Sequence, residues 1–196
     1  MKKTVIATTA LLAVTLFSTL APAAHAADIT KATKGDVNFT KSTDPAGELS
    51  LIKAPSVDFG DQKISGTTAT YDQATVDGIQ VDDNRGSNVG WNLSVSNTQF
   101  TGLTTTTAKL DGAKLTFTNG AATNVNGAGF AAKPAASMIL DGSGKAVPVM
   151  DAKVAQGMGV NNLAVTKASL EVPGTATKLK EKYESTITWT LKDAAL

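Results

Sequence analysis

The chain has no cysteine, and its single histidine, His25, sits near the start of the sequence. These two gaps exclude a great deal. Disulfides, a lipidated cysteine and thiolate metal sites are impossible without cysteine. With no histidine after position 25, zinc and copper lose their usual ligands, and no Ser-His-Asp or Cys-His nucleophile can be assembled. Aromatic residues are scarce: two Trp, two Tyr and six Phe in 196 residues. Arginine occurs once, at Arg85. After the first apolar run, no stretch is long enough to span a bilayer as a helix.

That first run reads as an address. Lys2 and Lys3 give a basic start, and Val5 to Leu20 is apolar apart from Thr and Ser. Ala24-His25-Ala26 then offers small residues where a signal peptidase reads them. The pattern predicts a secretory signal peptide over residues 1–26, cleaved after Ala26, and a secreted mature chain with no transmembrane segment. Removing Lys2 and Lys3 from 18 basic residues leaves 16 against 17 acidic ones. So even a balance argues against nucleic acid, which needs a basic face to neutralise phosphates. A domain of this size without disulfides must hold itself by its core.

Residues 27–47 are polar and rich in Lys, Thr and Asp, and read as a flexible leader. Residues 48–196 read as one all-β domain, a β-sandwich of short, mainly antiparallel strands. Apolar alternations predict strands at Leu49–Ile52, Val57–Phe59, Thr67–Tyr71, Ile79–Asp82, Val89–Ser96, Leu115–Thr118, Ser137–Leu140, Val147–Met150, Ser169–Val172 and Tyr183–Lys192. Asp111-Gly112, Asn119-Gly120, Asn126-Gly127 and Asp141-Gly142 are turn signals. The stretch Asn119–Ala136, rich in Ala, Asn and Gly, predicts a long irregular excursion. No segment sustains a helical period.

The two tryptophans share a pattern: Trp91-Asn92-Leu93 mid-chain and Trp189-Thr190-Leu191 near the end. Side chains alternate across a strand. Val89, Trp91, Leu93 and Val95 therefore share one face, and Asn92, Ser94 and Ser96 the other. In the last strand Tyr183, Ser185, Ile187, Trp189 and Leu191 oppose Thr186, Thr188 and Thr190. Each strand has an apolar and a polar face, as expected where a sheet meets a core on one side and water on the other. Two readings of the tryptophans stand side by side: anchors of the core, or rings left open as a binding platform.

The chain resembles the WxL-domain proteins, surface proteins of low-GC Gram-positive bacteria. The resemblance rests on both Trp-x-Leu copies, the second in a Tyr-x5-Trp-x-Leu context begun by Tyr183. It also rests on Val57-Asp-Phe-Gly60, the Val81–Gly86 run ahead of Gly90-Trp91, Leu110-Asp-Gly-Ala113, Gly157-Met-Gly159 and Leu170-Glu-Val-Pro173. It covers about Leu49 to Lys192. The resemblance implies non-covalent attachment to the Gram-positive cell wall through peptidoglycan or another wall polymer, with WxL-interacting surface proteins as possible partners. It also implies that Trp91, Leu93, Trp189 and Leu191 serve that attachment. No other anchor is visible: there is no Leu-Pro-x-Thr-Gly sorting signal.

Two other constellations carry possible chemistry. Asp82-Asp83-Asn84-Arg85-Gly86 reads as a turn in which Arg85 pairs with a nearby carboxylate, or as a buried arginine that fixes the loop before the first motif. A calcium site is a third reading, but the spacing fits no EF-hand loop. Glu48, Glu171, Glu181 and Glu184 are the only glutamates, and a carboxylate-pair glycosidase is the one hydrolase class the inventory allows. Solvated surface charge accounts for them more simply. The expectation is a secreted, wall-attached protein that is not an enzyme and holds neither metal nor cofactor. A structural subunit of a surface complex, held by a membrane-anchored partner, or an adhesin for host or matrix molecules are the alternatives.

Overall fold

The structure, a computed structural model, describes residues 34–40 and 48–193. The chain divides into two compact units, Met1–Asn38 and Phe39–Leu196. In the first, residues 34–38 are exposed and carry no regular secondary structure. The expected signal peptide and most of the expected leader lie outside the described residues.

Twelve strands make up the described part of the second unit. They are β1 (Leu49–Lys53), β2 (Ala69–Gln73), β3 (Ile79–Asp83), β4 (Trp91–Asn97), β5 (Thr101–Gly102), β6 (Lys114–Asn124), β7 (Lys133–Pro134), β8 (Ser137–Leu140), β9 (Val147–Ala152), β10 (Gly159–Val172), β11 (Tyr183–Glu184) and β12 (Ile187–Lys192). One sheet runs β1-β3-β10-β6-β8, with β2 also paired to β10. The second runs β12-β4-β9-β7, and β5 pairs with β11 in a short ribbon. Every pairing is antiparallel.

One hydrophobic cluster joins the two main sheets. Val81, Leu115, Phe117 and Leu163 come from the first sheet, and Trp91, Leu93, Val95 and Val149 from the second. All eight are buried. Full burial of each such side chain contributes about 1.5–3 kcal/mol, which is how a domain without disulfides holds together. The fold is the all-β sandwich that the alternation predicts.

Several elements differ from expectation, each for a local reason. Val57–Phe59 alternates like a strand but has no ladder. Side chains satisfy its backbone instead: the Asp58 N–H donates to Gln73 Oε1, and the Phe59 carbonyl accepts from Gln62 Nε2. Val57 and Phe59 still pack on the core, which explains the pattern. Asn119–Asn124, expected to be irregular, continues β6, because β10 is long enough to pair along its whole length. Gly120 fits there because a Cβ would lie 3.1 Å from Thr166 Cγ2.

β10 itself runs for 14 residues, but only its last four were legible as a strand. Asn161, Leu163 and Val165 point inward, then the phase slips and Ala168, Leu170 and Val172 take over. The slip coincides with irregular pairing to β6 around Val165. An extra residue in a strand moves every later side chain to the other face.

The expected final strand is broken into β11 and β12. At the break, Ser185 Oγ donates to the Thr98 carbonyl at 2.6 Å and the Thr186 N–H to Thr98 Oγ1 at 2.9 Å, so hydroxyls replace ladder bonds. Tyr183 fixes the approach to this strand. Its hydroxyl accepts from the Leu179 N–H at 2.8 Å and donates to the Thr177 carbonyl at 3.2 Å. The ring packs in a second cluster with Leu110, Leu170 and Val172. A tyrosine whose hydroxyl ties upstream backbone is a known way to fix a corner in a sandwich.

Tyr183→Phe keeps the ring and deletes both bonds. The expected loss is about 1–2 kcal/mol in denaturant unfolding, with faster hydrogen exchange at the Leu179 amide. Unchanged stability and exchange would show that the hydroxyl does not hold the corner.

Candidate functional site

The two Trp-x-Leu copies, nearly one hundred positions apart in sequence, form one unit. β4 and β12 are neighbours, and Leu93 stands directly opposite Leu191. Trp189 stands opposite Val95, and Lys192 opposite Asn92. Residues opposed in an antiparallel pair share a face. The Trp and Leu side chains of both copies therefore point into the sandwich, and the middle residues, buried Asn92 and exposed Thr190, lie on the opposite face.

The two copies differ in depth. β4 lies between β12 and β9, and Trp91 and Leu93 are 0 % exposed. β12 is an edge strand, and Trp189 and Leu191 are only half-buried. Trp189 reaches across the sandwich to Phe117 of β6, with ring centroids 6.0 Å apart and planes tilted by 58°. Such tilted aromatic pairs add about 0.5–1.5 kcal/mol beyond the area they bury.

Trp91 is seated by glycine. Its indole Nε1–H donates to the Gly157 carbonyl at 3.2 Å, which satisfies the one polar atom of a buried ring. Gly157 lies so close that a Cβ would stand 2.5 Å from that Nε1, and its φ of +79° favours glycine. Gly90 has φ +83°, with no room for a Cβ beside the Ala152 carbonyl. A buried amide pair holds the Gly157–Gly159 turn in place. Asn161 Nδ2 donates to the Gly157 and Gly159 carbonyls, and Asn124 Nδ2 donates to Asn161 Oδ1 and the Met158 carbonyl. Gly157-Met-Gly159 is therefore the seat of the first tryptophan.

Arg85 ties the ends of both motif strands. Its Nε and Nη2 each donate to the Asp83 carboxylate at 2.9 Å. Nη2 also reaches the Gly90 carbonyl at 2.8 Å, one residue before Trp91. Nη1 reaches the Asp193 carbonyl at 3.1 Å, just past Lys192. The Asp83 side chain is 1 % exposed and that of Arg85 11 %. The hydrogen bonds it donates to Asp83 push the Arg85 pKa further up, against the opposing effect of burial. The ion-pair turn and the arginine that fixes the first motif are thus the same feature. Sequence reasoning missed its contact at the end of the second motif, because the pairing of β4 with β12 brings Asp193 there. Both Asp83 carboxylate oxygens accept from the Arg85 guanidinium.

Among the glutamates, Glu181 is tied to a loop backbone. Glu181 Oε2 accepts from the Thr104 and Thr105 backbone amides at 2.8 and 2.9 Å. These bonds, that of Thr105 foremost, hold its carboxyl below the ordinary range. A carboxylate used this way closes a loop.

The outer face of the second sheet carries polar rows. Lys192, Asn92, Asp151 and Lys133 stand in register across all four strands. Beside them Thr190 pairs with Ser94 and Thr188 with Ser96. Both threonines are exposed and both serines half-buried. Among the described residues, no helix is long and apolar enough to cross a membrane.

Two substitutions test this construction. Gly157→Ala combines a disfavoured φ with overpacking against the indole, and the expected cost is about 2–4 kcal/mol, read as a lower melting temperature. Arg85→Met leaves the Asp83 carboxylate buried and unpaired, an expected loss of about 3–5 kcal/mol. Adding Asp83→Asn to Arg85→Met should recover part of that loss. A double variant no more stable than the single one would show that the penalty lies elsewhere.

The comparisons with known proteins fit this geometry. The family model for the WxL domain, described as surface cell wall-binding, matches residues 26–194. The match takes in both motifs, Arg85, the glycine seat and the polar residues ahead of β1. No curated protein and no solved structure matches the chain. A binding module of this kind is non-catalytic and belongs at the cell surface, attached to the wall without a covalent bond. The chain is a member of the WxL-domain family of Gram-positive surface cell-wall-binding proteins.

Proposed function

We infer that the ligand is the wall polymer itself, peptidoglycan, and that the outer face of the β12-β4-β9-β7 sheet meets it. One observation carries this reading: both motifs lie on adjacent strands of that sheet, with their Trp and Leu side chains turned inward. Trp91 and Leu93, with no exposed surface, serve attachment as positioning residues. Trp189 and Leu191 do the same from the edge strand. What they position is the paired hydroxyls of Thr190 with Ser94 and Thr188 with Ser96. Strand geometry sets these side chains roughly 7 Å apart along each strand and about 5 Å apart across the pair. A regular array of hydroxyls suits a regular polymer rich in hydroxyl and amide groups. Hydrogen bonds from such groups contribute about 0.5–1.5 kcal/mol each.

Sacculi stripped of protein separate the polymer from a protein partner. The secreted chain should co-sediment with them unaided. Ser96→Ala, Thr188→Ala and Thr190→Ala together should leave the melting temperature nearly unchanged and weaken co-sedimentation about tenfold or more. Full binding by the folded triple variant would remove the outer face from consideration. Sedimentation that needs untreated wall, with its surface proteins in place, would instead favour a partner protein as the anchor.

A further inference from the structure

Among the described residues, β12 is an edge strand with its outer hydrogen-bonding side open. The Thr98 N–H donates to the Thr186 carbonyl at 3.0 Å, so Thr186 turns its backbone toward the β4 side, at the residue just past the end of that strand. The direction alternates along an antiparallel pair. Thr188, Thr190 and Lys192 therefore face β4, in keeping with the Ser94 hydroxyl at the Thr190 carbonyl. Ile187, Trp189 and Leu191 point their N–H and C=O groups outward, where β12 has no neighbouring strand among the described residues.

The apolar side of the same strand is unfinished. Ile187, Trp189 and Leu191 face the core but stay half-buried, whereas Trp91, Leu93 and Val95 beside them are at most 1 % exposed. Natural edge strands are usually blunted by proline, bulges, charge or shortness. β7 is two residues long and includes Pro134, and β1 is bulged between Leu51 and Lys53. On β8 the inward side chains Met138 and Leu140 are already buried. β12 has no proline and no bulge, and its one charge is Lys192 at its end.

The sequence of β12 specifies an occupant. Ile187-Thr188-Trp189-Thr190-Leu191 has the same apolar-polar pattern read in either direction. Laid antiparallel on itself about Trp189, it sets Trp189 opposite Trp189, Ile187 opposite Leu191 and Thr188 opposite Thr190. Apolar meets apolar on the core side and hydroxyl meets hydroxyl on the outer side. The residues paired about that axis are the ones whose N–H and C=O groups point outward. Lys192 comes opposite Thr186 of the second copy, with Glu184 of that copy the nearest acidic residue along the chain, so no like charges meet.

We propose that β12 pairs antiparallel with β12 of a second copy of this chain, forming a two-fold dimer with one continuous eight-stranded sheet. The added strand finishes the burial of Trp189 and gives the second motif a role that the first, deep in β4, does not have. If the outer face meets the wall, which rests on the reading above, the dimer doubles that face and makes attachment bivalent.

Sedimentation equilibrium of the secreted chain over a range of concentrations tests the dimer without any wall present. A monomer–dimer equilibrium is expected. Thr188→Lys with Thr190→Lys changes only outward side chains, yet it sets lysine against lysine at both equivalent pairs. It should raise the dimer dissociation constant roughly tenfold or more. Thr188→Lys with Thr190→Glu sets lysine against glutamate in the same register and should restore association. A chain that stays monomeric at all concentrations, or a dimer indifferent to the double lysine variant, overturns the proposal. Because wall binding is not the readout, failure here leaves the outer-face reading standing, and failure of sacculus binding leaves the dimer standing.

Discussion

The pairing of β4 with β12 is the constraint on which the rest of the structure depends. It joins a strand from mid-chain to the last strand, so it closes the sandwich late in the sequence. Its register puts Leu93 against Leu191 and sends four motif side chains into one core. A slip of β12 by one residue would turn Trp189 and Leu191 to the solvent side. The surrounding features resist such a slip. Arg85 holds the carbonyls at one end of the pair, and the Ser185 and Thr98 hydroxyls lock the other.

Arg85 illustrates how a single charge can set register. Burying a guanidinium is costly unless its donors are used and its charge is met. Here Asp83 supplies the charge, and the Gly90 and Asp193 carbonyls take donors from the two strand ends. The arrangement tolerates only one relative position of those strands. A lysine, with a point charge and no fork, could not meet the carboxylate and both carbonyls in the same geometry.

Much of this was legible in the residues, and what was not follows a physical rule. Alternation gave the faces of β4 and β12, because one side of each strand meets the core and the other does not. It failed on β10, where the phase slips mid-strand, and on Asn119–Asn124, where a strand of small residues looks like a loop. It misread Val57–Phe59, whose side chains alternate over the core without a ladder. Alternation reports which side chains are covered, and the hydrogen-bonding partner leaves no mark on it. The depth of the two tryptophans was not legible for a related reason. Both lie on an apolar face, but exposure depends on strand order, and strand order is set by long-range pairing.

Strand order also explains why one tripeptide serves two ends. On β4, flanked on both sides, Trp91 is enclosed, and its fit is paid for by glycines that leave no room for another side chain. On β12, flanked on one side only among the described residues, the same tripeptide leaves a half-buried indole beside open backbone groups. The first copy therefore fixes the interior, and any substitution there acts through stability. The second copy lies at a boundary, where a change alters both the core and whatever the edge meets. A loss of attachment on mutating Trp91 carries information about folding. A loss on mutating Trp189 carries information about an interface only when the Trp189–Phe117 contact and the core beneath it are shown to survive.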